Sequence, residues 1–170
     1  MTAEELRALQ APLKSSYKID PGAARITLKA KGSIDDQAIA CKLDTGRTMV
    51  VAGLHPATGG SGLELCSGDL LLEALVACAG VTLKAVATAI DVPLERATVH
   101  AEGDLDFRGT LGVEKNVPVG FEAIRLRFEI ASAAPPDKID QLIRLTERYC
   151  VVYQTLANSP KLDVTMISGN

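Results

Sequence analysis

The residues best suited to covalent or redox chemistry in this chain are its four cysteines, Cys41, Cys66, Cys78 and Cys150. A thiol reacts as its thiolate, so a reactive cysteine needs stabilisation of negative charge and access to its substrate. Local electrostatics favour Cys66, because it directly precedes a predicted helix whose N-terminal amides stabilise an anion. Cys78 lies about three turns into that helix, where the dipole has little effect. Cys150 lies near Arg148, whose charge could activate it. Each of these three, taken singly, also fits a small buried hydrophobic residue.

The cysteine and histidine positions do not match a metal-ligand motif. No two cysteines form a Cys-x-x-Cys pair, and neither His55 nor His100 is next to a cysteine, so a structural zinc site is not expected. A histidine and three carboxylates at alternate positions of one predicted strand are a second arrangement that could hold a metal. These residues are His100, Glu102, Asp104 and Asp106. The favoured interpretation is a solvated strand face that pairs with Arg125 and Arg127 of the next strand.

Composition indicates one soluble globular domain. The 170 residues are enough to bury about two thirds of the unfolded surface, and 47% apolar with 23% charged residues is ordinary for such a protein. The formal net charge is −3 and the basic residues are scattered, which argues against a nucleic-acid partner. We expect a single domain over residues 1–170, with residues 1–23 as an N-terminal extension.

No segment is predicted to be exported or to enter a membrane. Residues 1–18 carry Glu4 and Glu5 and lack the apolar core of a secretory signal. Residues 70–90 are apolar, but Glu73 and Lys84 interrupt them and Ala and Val outnumber Leu and Ile. A central helix buried by its own protein is therefore favoured. Four cysteines without an export signal predict a reducing, cytoplasmic location.

The order of predicted elements is strands, helix, strands, helix, strand, with antiparallel pairing, which is an α+β fold. The first helix is predicted from Ser67, as N-cap, to about Ile90, and the second from Pro136 to the residues before Pro160. The predicted strands cover residues 23–32, 37–43, 46–54, 98–107, 123–130 and 161–167. Cys41 shares the apolar side of its strand with Ile39 and Leu43, which predicts a structural role for this cysteine.

Two segments carry the cysteines of most interest. SGDLLLEALVACAGVTL contains Cys78, and ERYCVVYQTL contains Cys150, 72 residues later; the Gly-rich loop HPATGGSG precedes the first. Together they closely resemble the OsmC/Ohr family of thiol-dependent peroxidases, and the resemblance covers about residues 24–167. It implies an OsmC-like fold, in which antiparallel sheets wrap two long central helices in an intertwined homodimer with active sites at the subunit interface.

The same resemblance implies the chemistry. Cys78 takes the place of the peroxidatic cysteine and Cys150 that of the resolving cysteine, with no metal, haem or flavin. The protein is then expected to reduce organic hydroperoxides and to be regenerated by an external dithiol. The alternative is a non-catalytic protein of the same fold that holds an apolar ligand at the dimer interface, its cysteines serving as packing.

The sequence differs from the family pattern around both cysteines. The acidic position ten residues before the helix cysteine is Gly68 here, with Asp69 beside it and Glu73 in another turn. The family also uses an Arg from an N-terminal strand, for which Arg25 and Arg47 are the candidates. CVVY replaces a Cys-Pro-Val-Ser-like stretch, so Val151 and Tyr153 alter the surroundings of Cys150. Cys66 is an additional thiol that the family pattern does not require.

Overall fold

The computed structural model describes residues 3–34, 41–43, 52–63, 65–166 and 168. The chain forms an α+β domain in which a central helix packs on an antiparallel sheet. In chain order the elements are α1 (Ala3–Ile19), β1 (Arg25–Ile34), β2 (Cys41–Leu43), β3 (Ala52–Gly53), β4 (Leu65–Cys66), α2 (Ser67–Ala89), β5 (Arg96–Asp106), α3 (Phe107–Thr110), β6 (Ala123–Ala131), α4 (Pro136–Tyr149) and α5 (Val151–Ala157). The sheet order is β2-β1-β5-β6 with every neighbouring pair antiparallel. A short parallel pair, β3 with β4, is the exception to the predicted antiparallel pairing.

β5 alternates between buried and half-buried side chains, as its sequence pattern predicts. Its half-buried row meets the basic residues of β6: Glu102 lies opposite Arg125, and His100 opposite Arg127. The Arg125 guanidinium donates a 3.0 Å hydrogen bond to Asp104 and lies 3.6 Å from Glu102. These ion pairs confirm the predicted cross-strand pairing of the acidic and basic rows.

Asp106 departs from that row, so its predicted place on a solvated face is wrong. Its side chain is fully buried where β5 ends, and its carboxylate accepts two hydrogen bonds from Arg108 Nε, at 3.0 and 3.1 Å. Arg108 Nη2 donates another bond of 2.5 Å, and the backbone N–H of Arg108 donates one of 3.0 Å that caps α3. Arg25 lies 3.8 Å away. The hydrogen bonds from Arg108 hold the pKa of Asp106 below its usual range.

α2 is the central helix, and it packs on β1, β5, α4 and α5. Its buried residues are Leu72, Leu75, Val76, Ala79, Gly80, Leu83 and Ala87. By length and composition alone this helix could cross a membrane. One side of it lies against the sheet and against α4, and 39% of its most apolar stretch is buried within the chain.

The second predicted helix is interrupted, which corrects the prediction of a continuous one. α4 begins at Pro136, as expected, but ends at Tyr149, and α5 begins at Val151. The residue between them, Cys150, has φ −72° and ψ 108°, outside the helical region. The helical periodicity of the sequence continues across this break, so the pattern alone did not reveal it.

The two ends of the chain also differ from prediction. α1 occupies most of the N-terminal extension, for which no helix was predicted. The final strand predicted for residues 161–167 is not formed by residues 161–166, which belong to no helix or strand and are exposed. Of the early predicted strands, residues 35–40 and 44–51 lie outside the described part of the chain, and with them Ile39 and Arg47.

Candidate active site

Cys78 lies in the middle of α2, on the side that faces away from the buried row. It is half-buried and packs against the main hydrophobic cluster. Helical spacing places it on the same side as Leu71, Ala74 and Val81, all of which are exposed. Cys78 is therefore bordered by core on one side and by an uncovered apolar surface on the other.

Cys150 is completely buried at the break between α4 and α5. Its backbone N–H donates to Thr146 at 2.9 Å and its carbonyl accepts from Gln154 at 2.9 Å, so it ends one helix and begins the next. Its Sγ caps α5 by accepting a 3.5 Å hydrogen bond from the backbone N–H of Tyr153. The fixed backbone on both sides holds this sulfur in one position.

The structure places Cys78 and Cys150 next to each other, close enough for the Cys78 side chain to raise the pKa of the Cys150 thiol. Burial raises the pKa of Cys150 to about 11, the N–H of Tyr153 opposes this, and the neighbouring Cys78 adds to it. Arg148 was expected to lower the pKa of Cys150, but this pKa is raised and Arg148 does not contribute to the shift. The Arg148 guanidinium instead lies 5.6 Å from the centroid of the Tyr149 ring. Both thiols are free.

Cys66 is remote from this pair. It is separated from Cys78 by twelve residues of α2, or roughly 18 Å. It, rather than Ser67, is the N-cap of α2, and its side chain makes no capping hydrogen bond. Asp69, in the first turn as predicted, accepts a hydrogen bond from the Cys66 backbone N–H, which is half of a capping box.

The candidate acidic and basic activators lie away from the thiol pair or outside the described residues. Burial raises the pKa of Asp69, against the opposing charge of His55, and burial together with Asp69 raises that of Glu73. Arg25 approaches Asp106 rather than a cysteine. Arg47 falls in the part of the chain that is not described.

Two cavities border this side of α2. One, of about 400 Å³, lies at the start of the helix and is lined by Cys66, His55 and Phe107 among others; the His55 and Phe107 rings stack with centroids 5.0 Å apart. The other, of about 560 Å³, is an open groove between α2, β6 and α5. It is lined mainly by apolar residues, including Leu71, Leu75, Leu126, Tyr153 and Leu156. Neither cavity could be predicted from the sequence, because each is formed by residues distant in the chain.

Comparison with known proteins places this geometry in a family. No curated protein matches the sequence. Among solved structures, the chain is similar to an OsmC-like hydroperoxide resistance protein from Jannaschia sp. CCS1, with a TM-score of 0.65, 15% identity, and coverage of 86% of this chain and 96% of that one. It is also similar to an OsmC-like protein from Mycoplasma pneumoniae, with a TM-score of 0.54, 17% identity, and coverage of 79% and 86%. These likenesses show a shared fold. The family model described as OsmC-like protein matches residues 60–165, well over half of the sequence and both Cys78 and Cys150. The chain belongs to the OsmC-like protein family.

Proposed function

We propose that this protein is a cysteine-based peroxidase that reduces organic hydroperoxides through Cys78 and Cys150, and that it works as a homodimer in the cytoplasm. The observation that carries the proposal is the adjacent pair of free thiols within the segment that matches the family. The hydroperoxide resistance protein from Jannaschia, which has the same fold, supports the choice of substrate class.

The surroundings of the two thiols support different roles for them. Cys150 is buried and its pKa is raised, so it is mostly protonated at neutral pH and shielded from a substrate. Cys78 is half-buried on the side of α2 that carries exposed apolar residues, so an apolar hydroperoxide can approach it. Cys78 is therefore proposed as the peroxidatic residue and Cys150 as the resolving residue.

The reaction needs two thiols per peroxide. The Cys78 thiolate attacks the terminal peroxide oxygen, the O–O bond breaks, and the released alkoxide takes a proton to leave as an alcohol. Cys78 is then a sulfenic acid. The Cys150 sulfur attacks the sulfenic sulfur and loses its proton, hydroxide leaves as water, and a Cys78–Cys150 disulfide remains. An external dithiol reduces this disulfide by thiol–disulfide exchange and is itself oxidised.

The homodimer is supported by the uncovered side of α2. Leu71 and Val81 are 37% and 38% exposed, although they belong to the central helix of the domain. A second copy packed on this side would remove apolar surface from water and enclose the region around Cys78.

Substitution of each cysteine tests the proposal. Cys78→Ser should abolish dithiol-dependent reduction of cumene hydroperoxide. Cys150→Ser should consume one equivalent of peroxide and retain a sulfenic acid at Cys78, detected by a dimedone adduct. Cys66→Ser should turn over nearly normally and serves as the matched control. If turnover survives in Cys78→Ser but is lost in Cys66→Ser, then Cys66 is the reactive thiol and the assignment of Cys78 as peroxidatic is wrong.

The second candidate function is that of a binding protein for an apolar ligand. It is favoured by the groove of about 560 Å³ lined mainly by apolar residues and by the raised pKa of Cys150. If wild-type protein consumes no hydroperoxide in the presence of dithiol, yet an apolar fluorescent probe binds and Leu75→Glu prevents this, the binding function replaces the peroxidase.

A further inference from the structure

The two cavities beside α2 meet at one point. Leu71, Gly120 and Phe121 line both the cavity of about 400 Å³ and the apolar groove of about 560 Å³. Leu71 belongs to α2 and Gly120 has no side chain, so Phe121 supplies the large group that reaches this point from the side of the sheet. The Phe121 ring therefore separates the groove from the smaller cavity.

A glycine in β5 makes room for this ring. Gly103 lies between Ala101 and Leu105 on the buried side of the strand, which faces α2. A Cβ atom at Gly103 would lie 2.4 Å from Cε1 and 2.5 Å from Cδ1 of Phe121. Glycine weakens the interior of a strand and is found where another group approaches the backbone closely. The ring thus rests directly on the β5 backbone, in a place that a larger residue at position 103 would occupy.

The backbone on both sides of Phe121 is anchored. After it, the N–H of Glu122 donates a 2.9 Å hydrogen bond to the Asp104 carbonyl. Before it, the chain lies so close to α3 that a Cβ atom at Gly109 would be 2.6 Å from the carbonyl oxygen of Pro118. These contacts hold the ring in one place, so it forms a fixed wall of the groove rather than a moving lid.

The Phe121 end of the groove is the end remote from Cys78. Leu71 and Leu75 of α2 line the groove, and Cys78 follows Leu75 by three residues on the same side of the helix. Leu71 and Cys78 are seven residues apart, which is roughly 10 Å along the helix axis. An apolar hydroperoxide whose peroxide group reaches Cys78 would therefore extend its tail along the groove towards Phe121.

We propose that Phe121 sets the longest alkyl tail that the groove accepts, because its ring closes the groove off from the cavity behind it. Without the ring, the spaces of about 560 and 400 Å³ join into one elongated cavity. The ligand that would respond is a neutral, unbranched alkyl chain, since the groove is lined mainly by apolar residues and the Glu122 carboxylate disfavours an anion. This inference rests on the proposed function in one respect, that the groove receives the apolar part of the substrate.

Binding of n-alkyl alcohols, from hexanol to tetradecanol, tests the inference without any peroxide. Dissociation constants are measured by displacement of the apolar dye Nile red. With wild-type protein the affinity should rise about fourfold per methylene until the chain reaches Phe121, and should then stay level. With Phe121→Ala the rise should continue, so that an alcohol about two methylenes beyond the wild-type limit binds roughly 15-fold more tightly than it binds to wild type.

Two further variants complete the test. Phe121→Leu keeps a smaller apolar side chain, so it should move the length limit by less, and it gives the same test if Phe121→Ala does not fold. The matched control is Val119→Ala, two residues earlier in the same loop. Val119 is 63% exposed and lines the smaller cavity rather than the groove, so this variant should keep the wild-type limit.

A length limit that is the same in wild type and in both Phe121 variants would overturn the inference, as would an equal shift in Val119→Ala. A uniform increase in affinity at every chain length would also overturn it, because that result shows a wider groove rather than a longer one. So would the absence of alcohol binding by wild-type protein. Turnover of hydroperoxides is measured separately. If turnover is absent and the limit still moves in Phe121→Ala, only the peroxidase proposal fails; if turnover is present and the limit stays, only this inference fails.

Discussion

Burial of Cys150 predicts that this thiol reacts more slowly than an ordinary cysteine, and the size of the rate difference follows from its pKa. With its pKa at about 11, roughly one Cys150 side chain in 3,000 is a thiolate at pH 7.5, against about one in ten for an ordinary cysteine of pKa near 8.5. The more basic thiolate is intrinsically more nucleophilic by roughly tenfold. The net expectation is a reaction at Cys150 about 20- to 30-fold slower than at an ordinary thiol, before shielding by the surrounding core is counted.

The Cys78→Ser variant isolates this effect. Burial, the largest cause of the shift, remains in the variant, so alkylation of Cys150 by iodoacetamide should stay slow at pH 7.5 and rise about tenfold per pH unit towards pH 11. Mass spectrometry of the peptide that contains Cys150 measures the rate. The control is Cys150→Ser, in which the same method follows Cys78. A profile for Cys150 that levels off below pH 9, or a rate equal to that of Cys78, would refute the assignment of Cys150 as the slow, resolving thiol.

Three further substitutions test the fold around the site. Leu142 is fully buried between α4 and α2, so Leu142→Ala should lower the free energy of unfolding by about 2–5 kcal/mol in urea titration; a loss below 1 kcal/mol would contradict this packing. Cys41→Ala should lower stability modestly and leave peroxide turnover intact, and loss of turnover in the folded variant would contradict a structural role. Because Arg108 lowers the pKa of Asp106, the stability that this carboxylate contributes is complete above the unfolded value near 3.9 and is lost as the pH falls through the lower folded value. Unfolding curves of Asp106→Asn should therefore show less loss of stability on acidification below pH 4 than wild type, and an equal loss would rule out this linkage.

The parts of the fold that could be predicted from the sequence are those in which a regular apolar pattern within one element determines which of its residues are buried. In β5 and β6 apolar and polar residues alternate, and α2 is a long apolar run. The ends of these three elements were therefore predicted within one or two residues. The ion pairs between β5 and β6 followed because opposite charges sat at alternate positions of two adjacent strands.

The parts that did not follow depend on tertiary contacts. The break at Cys150 has no proline or glycine to mark it, and the alternative hydrogen bonds that stabilise it involve a cysteine sulfur as the cap. α1 was not predicted because its apolar residues are few, and it is held by contacts distant in sequence, such as the 2.6 Å hydrogen bond from the Tyr17 hydroxyl to the Ala57 carbonyl. The sequence pattern placed Asp106 in the acidic row of β5, and the hydrogen bonds from Arg108 that accompany its burial could not be predicted from that pattern.

The same distinction explains the choice between Cys66 and Cys78. An electrostatic argument from the sequence alone can use only the helix that contains or follows a thiol. On that basis Cys66 was the stronger candidate for the reactive thiol. The contact between Cys78 and Cys150 comes from the packing of α5 on α2, and family resemblance was the one indication of it in the sequence.

Three surfaces that the described residues leave open lie around one region. The exposed side of α2 carries Cys78 between Ala74 and Val81, the apolar groove runs beside it to α5, and the free edge of β6 borders that groove. If a second copy covers these surfaces, dimerisation also removes water from around Cys78 and completes the wall of the substrate groove. The proposed catalysis then depends on assembly: specific activity should fall on dilution in parallel with the fraction of dimer, whereas a reaction confined to one chain would give the same turnover per chain at every concentration.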